Sequence, residues 1–107
     1  MKYNYNATIV KIIDGDTIKL DVDVGFKMTF RDNFRLLRID APEVRRKECC
    51  EWLKKEVPIG STVSIATHKP GKYGRWLCEI FYVDSDGDSR NLNDMLVKHG
   101  FAVYREY

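Results

Sequence analysis

Between positions 18 and 24 the apolar side chains Ile18, Leu20, Val22 and Val24 alternate without a break with Lys19, Asp21 and Asp23. A period of two fits a strand with one face in a core and the other in water. The apolar face then has to be covered, either by a second layer or by the sheet closing on itself. Residues 7–13 form an apolar, mostly β-branched run just before this strand, and Asp14-Gly15-Asp16 separates the two. This predicts a strand, a tight turn in which Gly15 supplies the turn conformation at little steric cost, and a second strand that Gly25 ends or interrupts with a bulge.

The rest of the chain continues the pattern. Residues 34–39 read as a third strand that follows a polar Arg31-Asp32-Asn33 insertion and ends at Asp40, ahead of Pro42. Cys49, Trp52, Leu53 and Val57 share one face at helical spacing, which predicts an amphipathic helix over 47–57 stopped by Pro58 and Gly60. Two further strands are expected at 62–67 and 76–83, with a turn at 84–88 after them. A second helix is signalled by an Asn at its start, then Leu92, Met95, Leu96 and Val97, with Gly100 where a left-handed cap residue would sit. The expected fold is α+β and mainly β: a five-stranded Greek-key barrel of the OB type, with one helix after the third strand and a second near the C-terminus.

At 107 residues, with no repeat, low-complexity stretch or linker, the chain reads as a single domain over 1–107. A net charge of +2 from 18 basic and 16 acidic side chains is too small to argue for a polyanionic partner by itself. Basic residues do gather at Arg45, Arg46 and Lys47 and again at Lys69, Lys72 and Arg75, while Asp84, Asp86 and Asp88 form an acidic cluster. Three cysteines without CxxC or Cys/His spacing argue against a disulfide framework and a zinc site. No secretory leader pattern opens the chain and no apolar run approaches the ~20 residues of a membrane span, so a cytoplasmic protein is expected, or a secreted one if a leader was removed.

Charge inside the third strand and the turn after it carries the chemistry. The segment Phe34-Arg35-Leu36-Leu37-Arg38-Ile39-Asp40-Ala41-Pro42-Glu43 sets an arginine, an aspartate and a glutamate where a strand would otherwise be apolar, and buried strands seldom carry such charges without partners. Together with Ile13-Asp14-Gly15-Asp16-Thr17 and Lys72-Tyr73-Gly74-Arg75, in that order, it resembles the three signature segments of staphylococcal nuclease-like domains. The stretch from Asn93 to Ala102 is similar to that family's second helix, so the likeness covers roughly residues 7–104.

The resemblance implies a calcium-dependent endonuclease that hydrolyses DNA or RNA by in-line water attack and leaves 3′-phosphate ends. Single strands would be preferred, the protein would act as a monomer, and no membrane would be involved. Asp16, Asp40 and the Ala41 backbone carbonyl would hold Ca2+ through hard oxygen ligands. Asp14 would act beside them through water. Glu43 would orient or deprotonate the attacking water, and Arg35 and Arg75 would clamp the phosphate through directional guanidinium hydrogen bonds. Lys72 and Tyr73 would contact the nucleotide, and Tyr104 would stack on a base.

This sequence departs from that family at several points. Ala41 stands where threonine is common in the best-known members, the segment between Glu43 and the helix is short, and no third helix follows Tyr104. Met28-Thr29-Phe30-Arg31 also resembles the approach to the catalytic arginine. Spacing favours Arg35, which lies five residues before Asp40 and eight before Glu43, and leaves Arg31 as a turn or rim charge. The rival functions are a non-catalytic nucleic-acid- or peptide-binding module on the same barrel and an OB-like structural subunit. The remaining features read as structural. Asp84-Ser85-Asp86-Gly87-Asp88 is a hairpin tip, because Met95 occupies the position where an EF-hand needs its bidentate acid. Trp52 and Trp76 pack, Trp76 beside the cleft, and Cys78 belongs to the core.

Overall fold

The structure is a computed structural model that describes residues 3–68 and 76–105. Strand β1 (Tyr3–Asp14) is followed by β2 (Thr17–Gly25), β3 (Met28–Leu36) and the short β4 (Ile39–Asp40). A 3-10 turn (Glu43–Arg45) then leads into α1 (Arg46–Glu56). Beyond it come β5 (Thr62–His68), β6 (Trp76–Val83), β7 (Ser89–Asn91), α2 (Leu92–Lys98) and β8 (Val103–Tyr104).

Strand β1 pairs antiparallel with both β2 and β5, β2 pairs with β3, and β5 with β6. A parallel contact of β3 with β6, through Phe34↔Trp76, Arg35↔Leu77 and Leu36↔Cys78, closes the ring. The result is the expected five-stranded OB-type barrel, which closure relieves of open sheet edges. Its interior is filled by three of the alternating positions read from the sequence: Ile18, Leu20 and Val22 are buried beside Ile9, Phe34, Leu36, Ile65 and Ile80, whereas Val24 is exposed. Helix α1 buries Cys49 and Leu53 against the barrel, and α2 buries Leu92 and Leu96. Burial pushes the thiols of Cys49 and Cys78 up to about 12, so both stay protonated and act as core atoms rather than nucleophiles.

Local expectations hold at the helix ends. The Asn91 side chain accepts from the Asp94 N–H at 3.2 Å, and Gly100 takes a left-handed φ of 77° just past α2. At 84–88 the hairpin tip is tied by Asp84, whose Oδ1 accepts from the N–H groups of Asp86 and Asp88 while Arg90 donates to Oδ2.

Two readings need correction. Arg31-Asp32-Asn33 is not an insertion ahead of the third strand but its middle, because β3 begins at Met28 and pairs with β2 as a hairpin; the strand also stops at Leu36, and a corner through Arg38, with φ of 68°, separates it from β4. The connection is the two residues Phe26 and Lys27, with φ of 55° and 59°, the left-handed pair that a tight primed turn demands. Such turns are ordinarily signalled by Asn-Gly or Asp-Gly, so nothing in Phe-Lys announced one. Gly15 is the second case: it is not among the residues with positive φ, so turn conformation is not what it supplies. A Cβ built there would lie 2.9 Å from the Ala41 Cβ and 3.0 Å from the Cys49 Sγ; the position needs glycine for room.

Among the described residues no helix is long and apolar enough to cross a membrane.

Candidate active site

The β1–β2 turn and the β3–β4 corner meet at one end of the barrel, joined by the Leu36 N–H donating to the Asp16 carbonyl at 2.8 Å. That contact sets Asp16 beside the strand that carries Arg35. The Asp16 carboxylate is nearly buried: Oδ2 accepts from the Ala41 N–H at 3.2 Å and Oδ1 from the Thr17 hydroxyl at 3.3 Å. A Gly15→Ala chain is expected to push Ala41 and Cys49 apart and lose about 1–3 kcal/mol, as overpacked sites do. A thermal melt reads this directly, and a melt equal to the parent's would mean the turn has slack.

The Arg35 guanidinium lies between two carboxylates. Its Nη2 is 3.3 Å from Asp16 Oδ2 and 3.4 Å from Asp40 Oδ1, while Nη1 donates to the Leu36 carbonyl at 3.0 Å. The side chain is only 11% exposed, so the backbone contact and the two acids hold it in one orientation. Asp40 is also engaged from outside, where Arg105 Nη1 donates to Oδ2 at 3.0 Å. Arg105 was missed in the sequence because only topology reveals it. The β4–β8 pairing sets Asp40 opposite Val103, and the Arg105 N–H reaches the Arg38 carbonyl at 2.8 Å.

Around these groups opens a cleft of about 580 Å³ whose lining includes Asp14, Asp16, Asp32, Arg35, Asp40 and Trp76. Its described lining holds four carboxylates and one guanidinium, and Arg46 and Arg105 pair with Asp14 and Asp40 from outside it. Asp14 stands at the rim, with Oδ1 held by the Gly15 N–H at 2.8 Å and by Arg46 Nε at 3.1 Å. Asp32, within the segment misread as an insertion, is an acid that sequence reasoning did not assign to the site.

Sequence-predicted residues thus fall into three groups. Asp14, Asp16, Arg35 and Asp40 come together, and Ala41 is tied to Asp16 through its N–H. Glu43 does not join them: it heads the exposed 3-10 turn and lines the neighbouring groove with Arg46 and Lys47. Tyr104 is exposed, with its hydroxyl donating to Asp94 Oδ1 at 3.0 Å and the Arg38 guanidinium 6.0 Å from its ring. Arg75, Lys72 and Tyr73 lie outside the described residues. Arg31 is a cross-strand charge rather than a turn residue, donating to Asp21 at 2.6 and 2.8 Å, and that bond holds the Asp21 carboxyl below its ordinary value.

Asp16 Oδ2 and Asp40 Oδ1 both face Arg35 Nη2, so the two carboxylates close on the guanidinium. Carboxylate oxygens are the donor type that a hard divalent cation takes, but no group of three or more His, Cys, Asp or Glu side chains that could hold a metal is found among the described residues. A cation held by Asp16 and Asp40 would need water, a carbonyl and substrate oxygen to complete its shell.

The chain is similar to known proteins over much of its length. The family model described as "Staphylococcal nuclease homologue" matches residues 33–107. A protein of Escherichia coli O157:H7 named "Uncharacterized endonuclease" is 31% identical over 106 residues, covering 95% of this chain and 63% of its own length. An Escherichia coli protein of the same name gives the same identity and coverage. An uncharacterized protein of Methanocaldococcus jannaschii is 26% identical over 127 residues, covering 92% of this chain and 58% of its own length. The chain therefore spans less than two thirds of the length of these relatives. With most of its residues inside the family match and a cleft lined by carboxylates and Arg35 at the barrel end, the chain belongs to the staphylococcal nuclease homologue family.

Proposed function

We propose that the chain is a calcium-dependent endonuclease that hydrolyses single-stranded DNA or RNA and leaves 3′-phosphate ends. The observation that carries this reading is a nearly buried guanidinium, Arg35, fixed between Asp16 and Asp40. The same guanidinium lines a cleft of about 580 Å³.

Bound by Asp16, Asp40 and the Ala41 carbonyl, a calcium ion would supply the countercharge that opposes charge developing on the phosphate oxygens. Arg35 binds the non-bridging oxygens through donors already oriented by the Leu36 carbonyl, so little reorganisation accompanies the reaction. Glu43 takes the proton from the attacking water. Departure of the 5′ oxygen, which is then protonated, leaves the phosphate on the 3′ side. Arg75 is the second guanidinium by resemblance, with Lys72, Tyr73 and Tyr104 along the nucleotide.

The test is a labelled single-stranded oligonucleotide incubated with calcium, with magnesium or with EDTA. Cutting with calcium, none with EDTA, and fragments that gain a 3′ hydroxyl on phosphatase treatment are expected; cutting that persists in EDTA would end the metal-dependent reading. Arg35→Lys should impair turnover more than folding, lowering the rate about 10²-fold with a smaller loss in the melt, because lysine keeps the charge but loses the planar fork and part of the bonding to Asp16, Asp40 and Leu36. Rate and melt falling together would make Arg35 structural.

One observation favours a second reading, a binding module on the same barrel. Glu43 lies outside the cleft that holds Asp16 and Asp40. A module of this kind would bind the oligonucleotide or a peptide and cut nothing.

A further inference from the structure

Strand β8 consists of two exposed residues, so little apolar burial holds it in place. Polar ties do so instead. Ile39 pairs with Tyr104 and Asp40 with Val103, the Arg105 N–H donates to the Arg38 carbonyl at 2.8 Å, and the Tyr104 hydroxyl donates to Asp94 Oδ1 at 3.0 Å. These ties run β8 along the corner that carries Asp40 and bring the Arg105 side chain to its carboxylate.

Asp40 is thereby gripped by two guanidiniums. Arg35 Nη2 stands 3.4 Å from Oδ1 inside the cleft, and Arg105 Nη1 stands 3.0 Å from Oδ2 at the rim. They are held differently. Arg35 is nearly buried and is fixed by Asp16 and the Leu36 carbonyl as well, whereas the Arg105 side chain is 64% exposed and Asp40 is its one described side-chain partner. An exposed ion pair of that kind contributes little to stability, because solvent screens it and a long side chain loses freedom to form it. Asp40 therefore releases Arg105 at lower cost than Arg35.

A divalent cation on Asp40 would draw on the same carboxylate charge. Even if it took Oδ1 and left Oδ2 to Arg105, two positive groups would face each other across one carboxylate and repel. We propose that Arg105 is a positioning residue that sets the divalent-cation affinity of the cleft by competing for Asp40. It orients the carboxylate and takes up part of its charge, and a bound cation gives that charge a second claimant. Such coupling is reciprocal: whatever factor Arg105 takes from cation affinity, the cation takes from the hold of Arg105 on Asp40. The inference rests on the reading of Asp16 and Asp40 as cation ligands. It adds a residue outside the three signature segments and makes β8, rather than the barrel, the element that tunes the site. A tie that only fastened β8 to β4 would behave in the opposite way, since removing it would loosen Asp40 and leave cation binding the same or weaker.

The test is cation binding without substrate. Terbium serves as a luminescent stand-in for calcium, since an indole close to the bound ion sensitises its emission and Trp76 lines the same cleft as Asp16 and Asp40. Calcium affinity is then read from the displacement of terbium. Arg105→Gln should bind calcium about five- to ten-fold tighter than the parent chain at low salt, while its melt in EDTA stays close to the parent's. The difference should narrow as salt is raised, because Arg105 is exposed. Arg105→Lys keeps the charge and should stay within about two-fold of the parent. In the parent chain itself, calcium should move the Arg105 Nε–H resonance toward that of a solvated guanidinium. Equal or weaker calcium binding by Arg105→Gln would overturn the proposal and leave Arg105 a structural tie, as would a resonance that calcium does not move. If neither chain takes up terbium, the reading of Asp16 and Asp40 as ligands fails and this inference with it; uptake by both with one affinity overturns the inference alone.

Discussion

Replacing Glu43 by glutamine is expected to slow calcium-dependent cutting by roughly 10² to 10⁴, the range for removing a general base. The substitution keeps size and polarity and removes only the ability to take a proton. Nothing in the fold should respond, because Glu43 is exposed at the head of the 3-10 turn and no described ion pair holds its carboxylate. A base must come within hydrogen-bond reach of the attacking water. From this turn, three residues beyond Asp40, the side chain has to swing toward the cleft when substrate binds. The experiment therefore separates the two readings of the site. A large loss of rate with unchanged oligonucleotide binding makes Glu43 the base. An unchanged rate removes it from the mechanism and directs attention to the acids that line the cleft, Asp14 and Asp32. If neither chain cuts while both bind, the barrel is a binding module.

Much of this site could be read from the sequence because burying charge is costly and therefore informative. Arg35 and Asp40 stood out as charges in an otherwise apolar strand, and they do meet, with Asp16 joining from a different turn. The alternation at 18–24 fixed which face of β2 looks inward and hence where the core lies. What stayed hidden depends on contacts that local pattern does not encode. Phe26-Lys27 gives no sign of a two-residue turn, so the long hairpin was invisible. Asp32 was hidden for the same reason. Arg105 reaches Asp40 only because β8 pairs with β4. Gly15 looked like a turn residue and proved to be a spacer, a distinction that needs the positions of Ala41 and Cys49. Arg38 belongs with these: its left-handed φ of 68° is held by bonds to Glu79 and Asp94, residues more than forty positions away.

Asn93→Leu is expected to destabilise the chain by about 3 kcal/mol or more, enough to lower its melting temperature by roughly 15 °C. Asn93 is fully buried in α2, where an apolar residue would seem natural. Its Oδ1 accepts from the Ile80 N–H at 3.2 Å, and its Nδ2 donates to the carbonyls of Leu37 at 2.8 Å and Cys78 at 3.2 Å. Leucine would fill the same space but leave buried backbone donors and acceptors without partners, each costing about 1–3 kcal/mol. The effect should also reach the cleft. Leu37 lies at the corner between β3 and β4, with Arg35 two residues before it and Asp40 three after, and its N–H donates to the same Cys78 carbonyl at 2.9 Å. Loosening that corner separates the guanidinium from the acid it faces. Cutting measured well below the melt should therefore fall in the Asn93→Leu chain even where it remains folded. A chain that melts lower but cuts at the parental rate would show that the corner holds its shape without α2, leaving Arg35 and Asp40 positioned by the barrel alone.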